Sequence, residues 1–205
     1  MSELVLYTHP FSRARIAHWA LEEAGHPWEA RLVTLGEHRT PDFLALNPMG
    51  KIPTLVHGDV VVTEAPAICA YLADAFPEAK LAPSVADRGT YYRWLFFATA
   101  CIEHALFDKE NDQLRDEQRR SIGYGTFEQM VDTLESAITP GPWILGDQFS
   151  AADVYLGSQL EWGTRFMPHI ERRPTFEAYL ERCFAREAYQ RASQRTDALI
   201  AELNS

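Results

Sequence analysis

The spacing of apolar residues along the first 80 positions predicts alternating strands and helices. Leu4–Tyr7 is a short, uninterrupted apolar run, which is typical of a buried strand. Apolar residues then recur at helical spacing from Ser12, and Gly25 follows them at the place where a glycine commonly ends a helix. In Trp28–Leu32 apolar and polar residues alternate, which predicts a second strand.

A short helix, a hairpin and a longer helix are predicted next. Thr40 precedes Pro41, and proline is well suited to the first position of a helix. Thr54–Val56 and Val60–Val62 are short runs separated by a tight turn, as expected for a β-hairpin. With the helical stripe around Ile68, the predicted order is β-α-β-α-β-β-α. This order indicates an α/β domain whose last two strands are antiparallel.

The pattern changes beyond residue 80. Residues 77–90 hold Pro77, Pro83 and Gly89 among polar residues, and we predict a linker at 81–90. From 91 to 205 apolar residues recur at helical spacing, and no segment alternates as a strand does. Within this region Ser150 and Asp153 have the spacing of a capping box, which predicts the start of a helix. We therefore expect an α/β domain at 1–80, a linker at 81–90 and an all-helical domain at 91–205.

Composition and charge narrow the class of protein. The 205 residues are 46% hydrophobic and 23% charged, which is typical of a globular protein. A formal net charge of −10 disfavours binding to nucleic acid and to anionic membranes, because both need basic surfaces. No apolar run approaches the roughly 18 residues of a membrane helix. The N-terminal residues do not form a basic segment followed by a long apolar core, so we do not expect a signal peptide.

The cysteines indicate neither a disulfide scaffold nor a zinc site. Cys69, Cys101 and Cys183 are far apart, odd in number and contain no Cys-x-x-Cys pair. We therefore expect a cytoplasmic protein without a bound metal.

The turn between the first strand and the first helix is the first candidate for chemistry. The N-terminus of a helix offers unpaired N–H groups and a partial positive charge, and Arg13 and Arg15 add to it. Such a place stabilises an anion, including a thiolate. Ser12 could donate a hydrogen bond to that anion, or its hydroxyl could simply cap the helix.

Two more segments carry candidate binding residues. Pro53 directly precedes a strand, which is consistent with a cis peptide bond beside which a peptide-like ligand could pair with the backbone. The alternative is an ordinary junction between a loop and a strand. Glu64 lies at a predicted helix N-terminus, where it could cap the helix. It could instead pair with a ligand ammonium group while the helix N–H groups bind a ligand carboxylate.

Together these segments resemble the glutathione transferase family over essentially the whole chain. Residues 36–53 are similar to phi-class and related fungal and bacterial members, and so are T-E-A-P-A-I at 63–68 and F-S-A-A-D at 149–153. The resemblance implies the glutathione transferase fold. In that fold a thioredoxin-like α/β domain at the N-terminus is followed by an all-α domain.

The resemblance also implies roles for individual residues. Ser12, two positions after a proline, corresponds to the residue that activates the thiol of glutathione, the co-substrate. His9 is an alternative, as is Tyr7, although its place in the first strand favours burial. The resemblance assigns glutathione binding to His38, Arg39, Lys51, Ile52, Pro53, Glu64 and Ala65, in addition to Ser12. Because the family usually has serine where this chain has Ala65, we expect binding weaker by about 1 kcal/mol, the size of one hydrogen bond.

The implied reaction is attack of the glutathione thiolate on a small hydrophobic electrophile. Its site is expected to use Phe11 and three aromatic side chains of the helical domain, whose alternative role is core packing: Phe107, Trp162 and Phe166. The family resemblance further implies a homodimer.

Other functions on the same fold remain alternatives. They are a glutathione-dependent peroxidase, isomerase or dehalogenase, and a non-catalytic glutathione-binding module. The zeta-type isomerases carry a Ser-Ser-Cys run in the first turn, and this chain lacks it. The glutaredoxin-like Cys-Pro-x-Cys pattern is replaced by His9-Pro10-Phe11-Ser12, so disulfide exchange through a protein cysteine is not expected.

Overall fold

A four-stranded mixed sheet organises the N-terminal part of the chain. The computed structural model describes residues 3–34, 36–111, 118 and 121–204. The strands are β1 (Leu4–Thr8), β2 (Glu29–Leu32), β3 (Thr54–His57) and β4 (Val60–Thr63). They lie in the order β2-β1-β3-β4, with β1 parallel to β2 and the other pairs antiparallel. The predicted order of elements along the chain and the antiparallel pairing of the last two strands are confirmed.

Three helices cover the two faces of this sheet: α1 (Ala14–Ala24), α2 (Pro41–Leu46) and α3 (Ala65–Ala75). Successive side chains of a strand point to opposite faces. Thr8 contacts α1 through a hydrogen bond to His18, whereas Tyr7 packs against Phe43 of α2. The helices α1 and α2 therefore lie on opposite faces of β1.

Among its described residues, the segment 82–185 contains five α-helices and no strand. They are α4 (Arg88–Phe97), α5 (Glu103–Asn111), α6 (Phe127–Ile138), α7 (Ala151–Glu161) and α8 (Pro174–Phe184). A π-helical turn joins α4 to α5, and another extends α7. The predicted all-helical architecture is confirmed. In the ranges described, no helix is long and apolar enough to cross a bilayer.

The predicted linker at 81–90 is shorter in the structure, because α4 already begins at Arg88. Gly89 contributed to the linker prediction, but a glycine in the first turn of a helix is tolerated. The guanidinium of Arg88 donates to the carbonyl of Pro83 (Nε–O 3.1 Å) and thereby ties the helix start to the chain before it.

Asp153 connects several parts of this helical unit. The capping box predicted at Ser150 is present, with the Ser150 N–H donating to Asp153 Oδ2 at 2.9 Å. The same carboxylate accepts from the Ser150 hydroxyl (2.9 Å), the Ile144 N–H (2.8 Å) and the Tyr179 hydroxyl (2.8 Å). Burial raises the pKa of Asp153, and the four donors act in the opposite direction. One carboxylate therefore joins α7, α8 and the segment before α7.

The last helix, α9 (Glu187–Leu203), belongs to the first unit, contrary to the expected boundary at 91–205. That unit contains the residues up to 81 and those from 186 onward. The reason is visible on α1, where the Glu22 and Glu23 side chains are only 9% and 5% exposed. Arg191 binds Glu22 (Nε–Oε2 2.8 Å), and Arg186 binds Glu23 (Nε–Oε1 2.6 Å).

His18 forms a second connection between α1 and α9. The Thr196 hydroxyl donates to the carbonyl of Ala192 (2.9 Å), so it accepts from His18 Nδ1–H (3.1 Å). The other ring nitrogen, Nε2, then accepts from the Thr8 hydroxyl at 2.8 Å. Both nitrogens of the neutral imidazole are satisfied. Burial lowers the pKa of His18 to about 4, and Arg195 reinforces this effect.

Candidate functional site

The predicted site residues of the first unit meet at one end of its sheet. Tyr7 of β1 pairs with Thr54 of β3, which in turn pairs with Thr63 of β4. The turn after β1, the loop before β3 and the start of α3 therefore leave the sheet at the same end. Neighbouring strands are about 4.8 Å apart, so these positions span about 10 Å. An extended tripeptide has about the same length.

The Ser12 hydroxyl is engaged as both donor and acceptor. It donates to the carbonyl of His9 at 2.7 Å and accepts from the Ala14 N–H at 3.1 Å. The first helix was predicted to begin at Ser12, but α1 begins at Ala14, with Arg13 at the N-cap position. Ser12 still satisfies one N–H of the first turn. Its hydroxyl must rotate away from the His9 carbonyl before it can donate to a ligand.

The two alternative residues have different surroundings. His9 is half-buried, and its Nδ1 accepts from the Phe11 N–H at 3.3 Å. The Tyr7 hydroxyl accepts from Arg31 Nη1 at 2.9 Å, and its ring lies 5.6 Å from that of Phe43. Tyr7 is therefore part of the packing between β1 and α2. Sequence reasoning missed Arg31 as its partner, because that pairing depends on the register between β1 and β2.

The loop before β3 has the predicted cis peptide bond between Ile52 and Pro53. The carbonyl of Lys51 accepts from Asn47 Nδ2 (2.8 Å) and from the Thr54 hydroxyl (3.1 Å). The side chain of Lys51 is exposed at this end of the sheet. Sequence reasoning missed Asn47, a buried side chain that fixes the loop. The feature of the sequence that marks this position as part of a turn is Pro48, which directly follows Asn47.

Gly50 brings His38 and Arg39 next to this loop. It has φ +60°, and a Cβ at this position would lie 2.8 Å from the His38 carbonyl oxygen and 3.2 Å from Arg39 Nη1. Three of the predicted glutathione-binding residues, His38, Arg39 and Lys51, therefore lie around one close backbone contact. These groups can give this part of the site a local positive charge within an acidic chain.

We expect Gly50→Ala to weaken any ligand binding that needs this arrangement. The substitution combines a left-handed backbone with a steric clash, so the loop and the segment 37–39 must separate. Gly25→Ala is the matched control, because Gly25 also has positive φ but its Cβ would meet nothing within 4 Å. Thermal unfolding should show a loss of about 1 kcal/mol for the control and a larger loss for Gly50→Ala. Equal losses would contradict the close contact.

Glu64 has a backbone conformation that is unusual for a residue with a side chain. Its φ is 67° and its ψ 120°, and such strained residues cost about 1–3 kcal/mol. In the described part of the chain its exposed side chain makes no capping hydrogen bond to α3, so the capping interpretation is wrong. Ala65 is buried as the first residue of α3. The Glu64 carboxylate is thus held at the helix start and is available for another role.

The four aromatic residues predicted for an electrophile are divided between the units. Phe11 belongs to the first unit and is 72% exposed. In the helical unit the Phe107 and Trp162 rings lie 5.4 Å apart, and Phe166 is 62% exposed. The exposure of Phe107 and Phe166 contradicts the alternative of core packing for these two residues. Among the described residues, no group of His, Cys, Asp or Glu is arranged to hold a metal ion.

The comparisons with known proteins agree with this geometry. Residues 11–75 match the family model of the glutathione S-transferase N-terminal domain, and 108–182 match that of the C-terminal domain. A glutathione transferase structure from Methylococcus capsulatus Bath is 35% identical, with a TM-score of 0.76, and the alignment covers 95% of this chain and 99% of that one. The chain belongs to the glutathione S-transferase family.

Two further similarities show the range of the glutathione S-transferase family around this member. A theta-class structure from Xanthomonas axonopodis pv. citri, solved with glutathione bound, is 29% identical with a TM-score of 0.73. That alignment covers 94% of this chain and 97% of the other. The maleylacetoacetate isomerase of Pseudomonas aeruginosa is 31% identical over 165 residues, which cover 77% of each chain. The proteins that are similar to this chain thus include an isomerase.

Proposed function

We propose that this chain binds glutathione at the end of its sheet and activates the thiol for transfer to an electrophilic carbon. The observation that carries the proposal is the meeting of three segments there, through the pairing of Tyr7, Thr54 and Thr63. They span about the length of a tripeptide. The structure of a relative with bound glutathione supports the same ligand.

The charges of the site match the two ends of glutathione. Glu64 would pair with the ammonium group of the γ-glutamyl end, while N–H groups at the start of α3 would bind its carboxylate. Lys51, with His38 and Arg39, would bind the glycyl carboxylate. The backbone of Ile52, before the cis Pro53, would pair with the cysteinyl residue between them. Each end of the peptide thereby meets groups of opposite charge.

The N-terminus of α1 and the Ser12 hydroxyl would stabilise the thiolate. A free thiol has a pKa of about 8.5, and lowering it by about 2 requires about 2.7 kcal/mol of differential stabilisation. A charge-assisted hydrogen bond and a helix N-terminus together are of that order. The thiol proton passes to solvent. The thiolate then forms the C–S bond as the leaving group departs with the electron pair of its bond to carbon.

We expect Ser12→Ala to reduce kcat/KM about tenfold. The effect is modest because a Ser12 bond to the thiolate replaces its existing bond to the His9 carbonyl. Conjugation of glutathione with 1-chloro-2,4-dinitrobenzene, which releases chloride, measures it. Ser136→Ala, an exposed serine of α6, is the matched control and should retain full activity.

The wild-type protein decides the proposal itself. It should be retained on immobilised glutathione and eluted by free glutathione. A wild type that ignores the column and shows no conjugation would overturn the proposal. Retention without turnover of aryl halides, hydroperoxides or maleylacetoacetate would favour a non-catalytic glutathione-binding module.

A glutathione-dependent isomerase is the second candidate. The similarity to a maleylacetoacetate isomerase favours it, since a thiolate that adds to an alkene carbon and later departs can isomerise the double bond. The missing Ser-Ser-Cys run in the first turn opposes it. The protein is incubated with maleylacetoacetate and glutathione, and the absorbance of the substrate is measured over time. A change that depends on glutathione distinguishes isomerase activity from transferase activity.

We also propose a small hydrophobic electrophile and a homodimeric assembly. The contact between Phe107 and Trp162 and the exposure of Phe166 and Phe11 support an apolar second substrate. Membership of the family supports the dimer. Light scattering would report a mass near twice 23.3 kDa for a dimer and near 23.3 kDa for a monomer.

A further inference from the structure

We propose that the His9 imidazole, acting beside Ser12, donates a hydrogen bond to the glutathione thiolate through Nε2–H. This inference rests on the proposed function. It gives the glutathione thiolate a second hydrogen-bond donor in addition to Ser12. It starts from the observation that the Ser12 hydroxyl already makes two hydrogen bonds within the turn. Its proton points to the His9 carbonyl, and its oxygen accepts from the Ala14 N–H.

The tautomer of His9 follows from its partner within the turn. A backbone N–H can only donate to an unprotonated ring nitrogen, and the Phe11 N–H donates to His9 Nδ1 at 3.3 Å. The proton of the neutral imidazole is therefore on Nε2. This bond also fixes the orientation of the ring relative to the turn.

In the part of the chain that the structure describes, the Nε2–H group of His9 has no hydrogen-bond partner. Over the ranges that the structure describes, the only hydrogen bond of the His9 side chain is the one at Nδ1. His9 is half-buried, two residues beyond Tyr7, at the end of the sheet where the proposed site lies. A donor in this state can bind a thiolate without first breaking a hydrogen bond of the protein. Ser12 would have to give up its bond to the His9 carbonyl.

The proposed role leaves the imidazole proton on His9 throughout. The thiol proton passes to solvent when glutathione binds, and His9 Nε2–H then donates to the sulfur anion. During conjugation the sulfur forms its bond to carbon, and the leaving group departs with the bonding electron pair. The hydrogen bond from His9 weakens as the negative charge leaves the sulfur. His9 is thus a catalytic residue that stabilises the thiolate and neither gains nor loses a proton.

Two substitutions separate this role from a structural one. In His9→Asn the amide oxygen takes the place of Nδ1, so the hydrogen bond from the Phe11 N–H is kept, but no donor reaches the place of Nε2. In His9→Gln the amide N–H reaches that place. The structural role alone therefore predicts nearly full activity for His9→Asn, whereas the catalytic role predicts the greater activity for His9→Gln.

The experiment measures conjugation with 1-chloro-2,4-dinitrobenzene and the pKa of the bound thiol. We expect kcat/KM of His9→Asn to fall roughly ten- to hundredfold, as for the loss of a hydrogen bond to a charged group. The KM for glutathione should change little. The pKa of bound glutathione, followed by the ultraviolet absorbance of its thiolate, should rise by about 1–2. His9→Gln should recover part of both effects.

The outcomes distinguish this inference from the proposed function. If the wild type conjugates glutathione and His9→Asn does so equally well with an unchanged thiol pKa, the role of His9 is overturned and the proposed function stands. If the wild type neither binds nor conjugates glutathione, both fail. Circular dichroism of each variant shows whether it folds. Should His9→Asn not fold, His9→Gln compared with His9→Met, which has similar length but no donor, decides the question in the same way.

Discussion

Asp153→Ala should lower the free energy of unfolding of the helical unit by about 3–5 kcal/mol, because it leaves several buried hydrogen-bond donors without an acceptor. The carboxylate is fully buried and accepts four hydrogen bonds. Its removal leaves the N–H groups of Ile144 and Ser150 and the hydroxyl of Tyr179 without their acceptor. Each buried donor left unsatisfied costs about 1–3 kcal/mol. The start of α7 would also lose its capping box.

Urea denaturation followed by circular dichroism measures this loss. Asp147→Ala is the matched control, because Asp147 is an exposed residue just before α7 and should change stability by less than about 0.5 kcal/mol. Equal midpoints for the two variants would show that the Asp153 network contributes nothing beyond an ordinary surface carboxylate. Such a result would contradict the arrangement around α7 and α8.

Acidification should destabilise the first unit through His18, by about 3 kcal/mol in total. The imidazole has a pKa of about 4 in the folded protein against 6.5 for the free side chain. Above pH 6.5 it is neutral in both states and stability does not change. Between pH 6.5 and 4 the unfolded chain binds a proton that the folded chain does not, so the free energy of unfolding falls with pH. Below about pH 4 this effect is complete.

A comparison of pH dependences isolates His18 from the other titrating groups. The free energy of unfolding of His18→Gln should fall less than that of the wild type between pH 7 and 4.5, by about 2–3 kcal/mol. His104→Gln, which replaces an exposed histidine of α5, is the matched control for the change of residue type. Nuclear magnetic resonance titration of the His18 ring gives the folded pKa directly. A value near 6.5 would contradict the burial effect.

Local sequence patterns were sufficient for the elements that form the site. The period of apolar residues identified the strands and helices of the first domain because one face of each packs against the others. Pro53, directly before a strand, indicated the cis peptide bond found there. Only the pairing of β3 with β4 follows from a short connection. The pairing of β3 with β1, which brings the three candidate segments together, is visible only in the structure.

The side-chain arrangement within the site was less predictable. Whether Ser12 caps the helix or turns toward a ligand depends on the His9 carbonyl, which only the folded turn brings within 2.7 Å. The conformation of Glu64, with φ 67°, is unusual for glutamate and leaves no trace in hydrophobic periodicity. The partner of Tyr7 depends on the neighbouring strand. Each of these features depends on the folded backbone, which the local pattern of apolar and polar residues does not determine.

The position of α9 was missed for a related reason. Its helical pattern resembles that of the preceding helices, and nothing in that pattern identifies the surface against which it packs. The available signal was charge: adjacent Glu22 and Glu23 on α1, and Arg186, Arg191 and Arg195 along α9. Complementary charges far apart in sequence indicate a pairing only when the fold is already known.

The assignment of α9 to the first unit has a consequence for the order of folding during translation. The sheet and its first three helices leave the ribosome before the helical unit is made, but they lack the cations of α9. Until Arg186, Arg191 and Arg195 are synthesised, Glu22 and Glu23 must stay hydrated instead of being enclosed. We therefore expect the first unit to emerge as a loose intermediate and to acquire its final packing only after residues 186–203 have been synthesised.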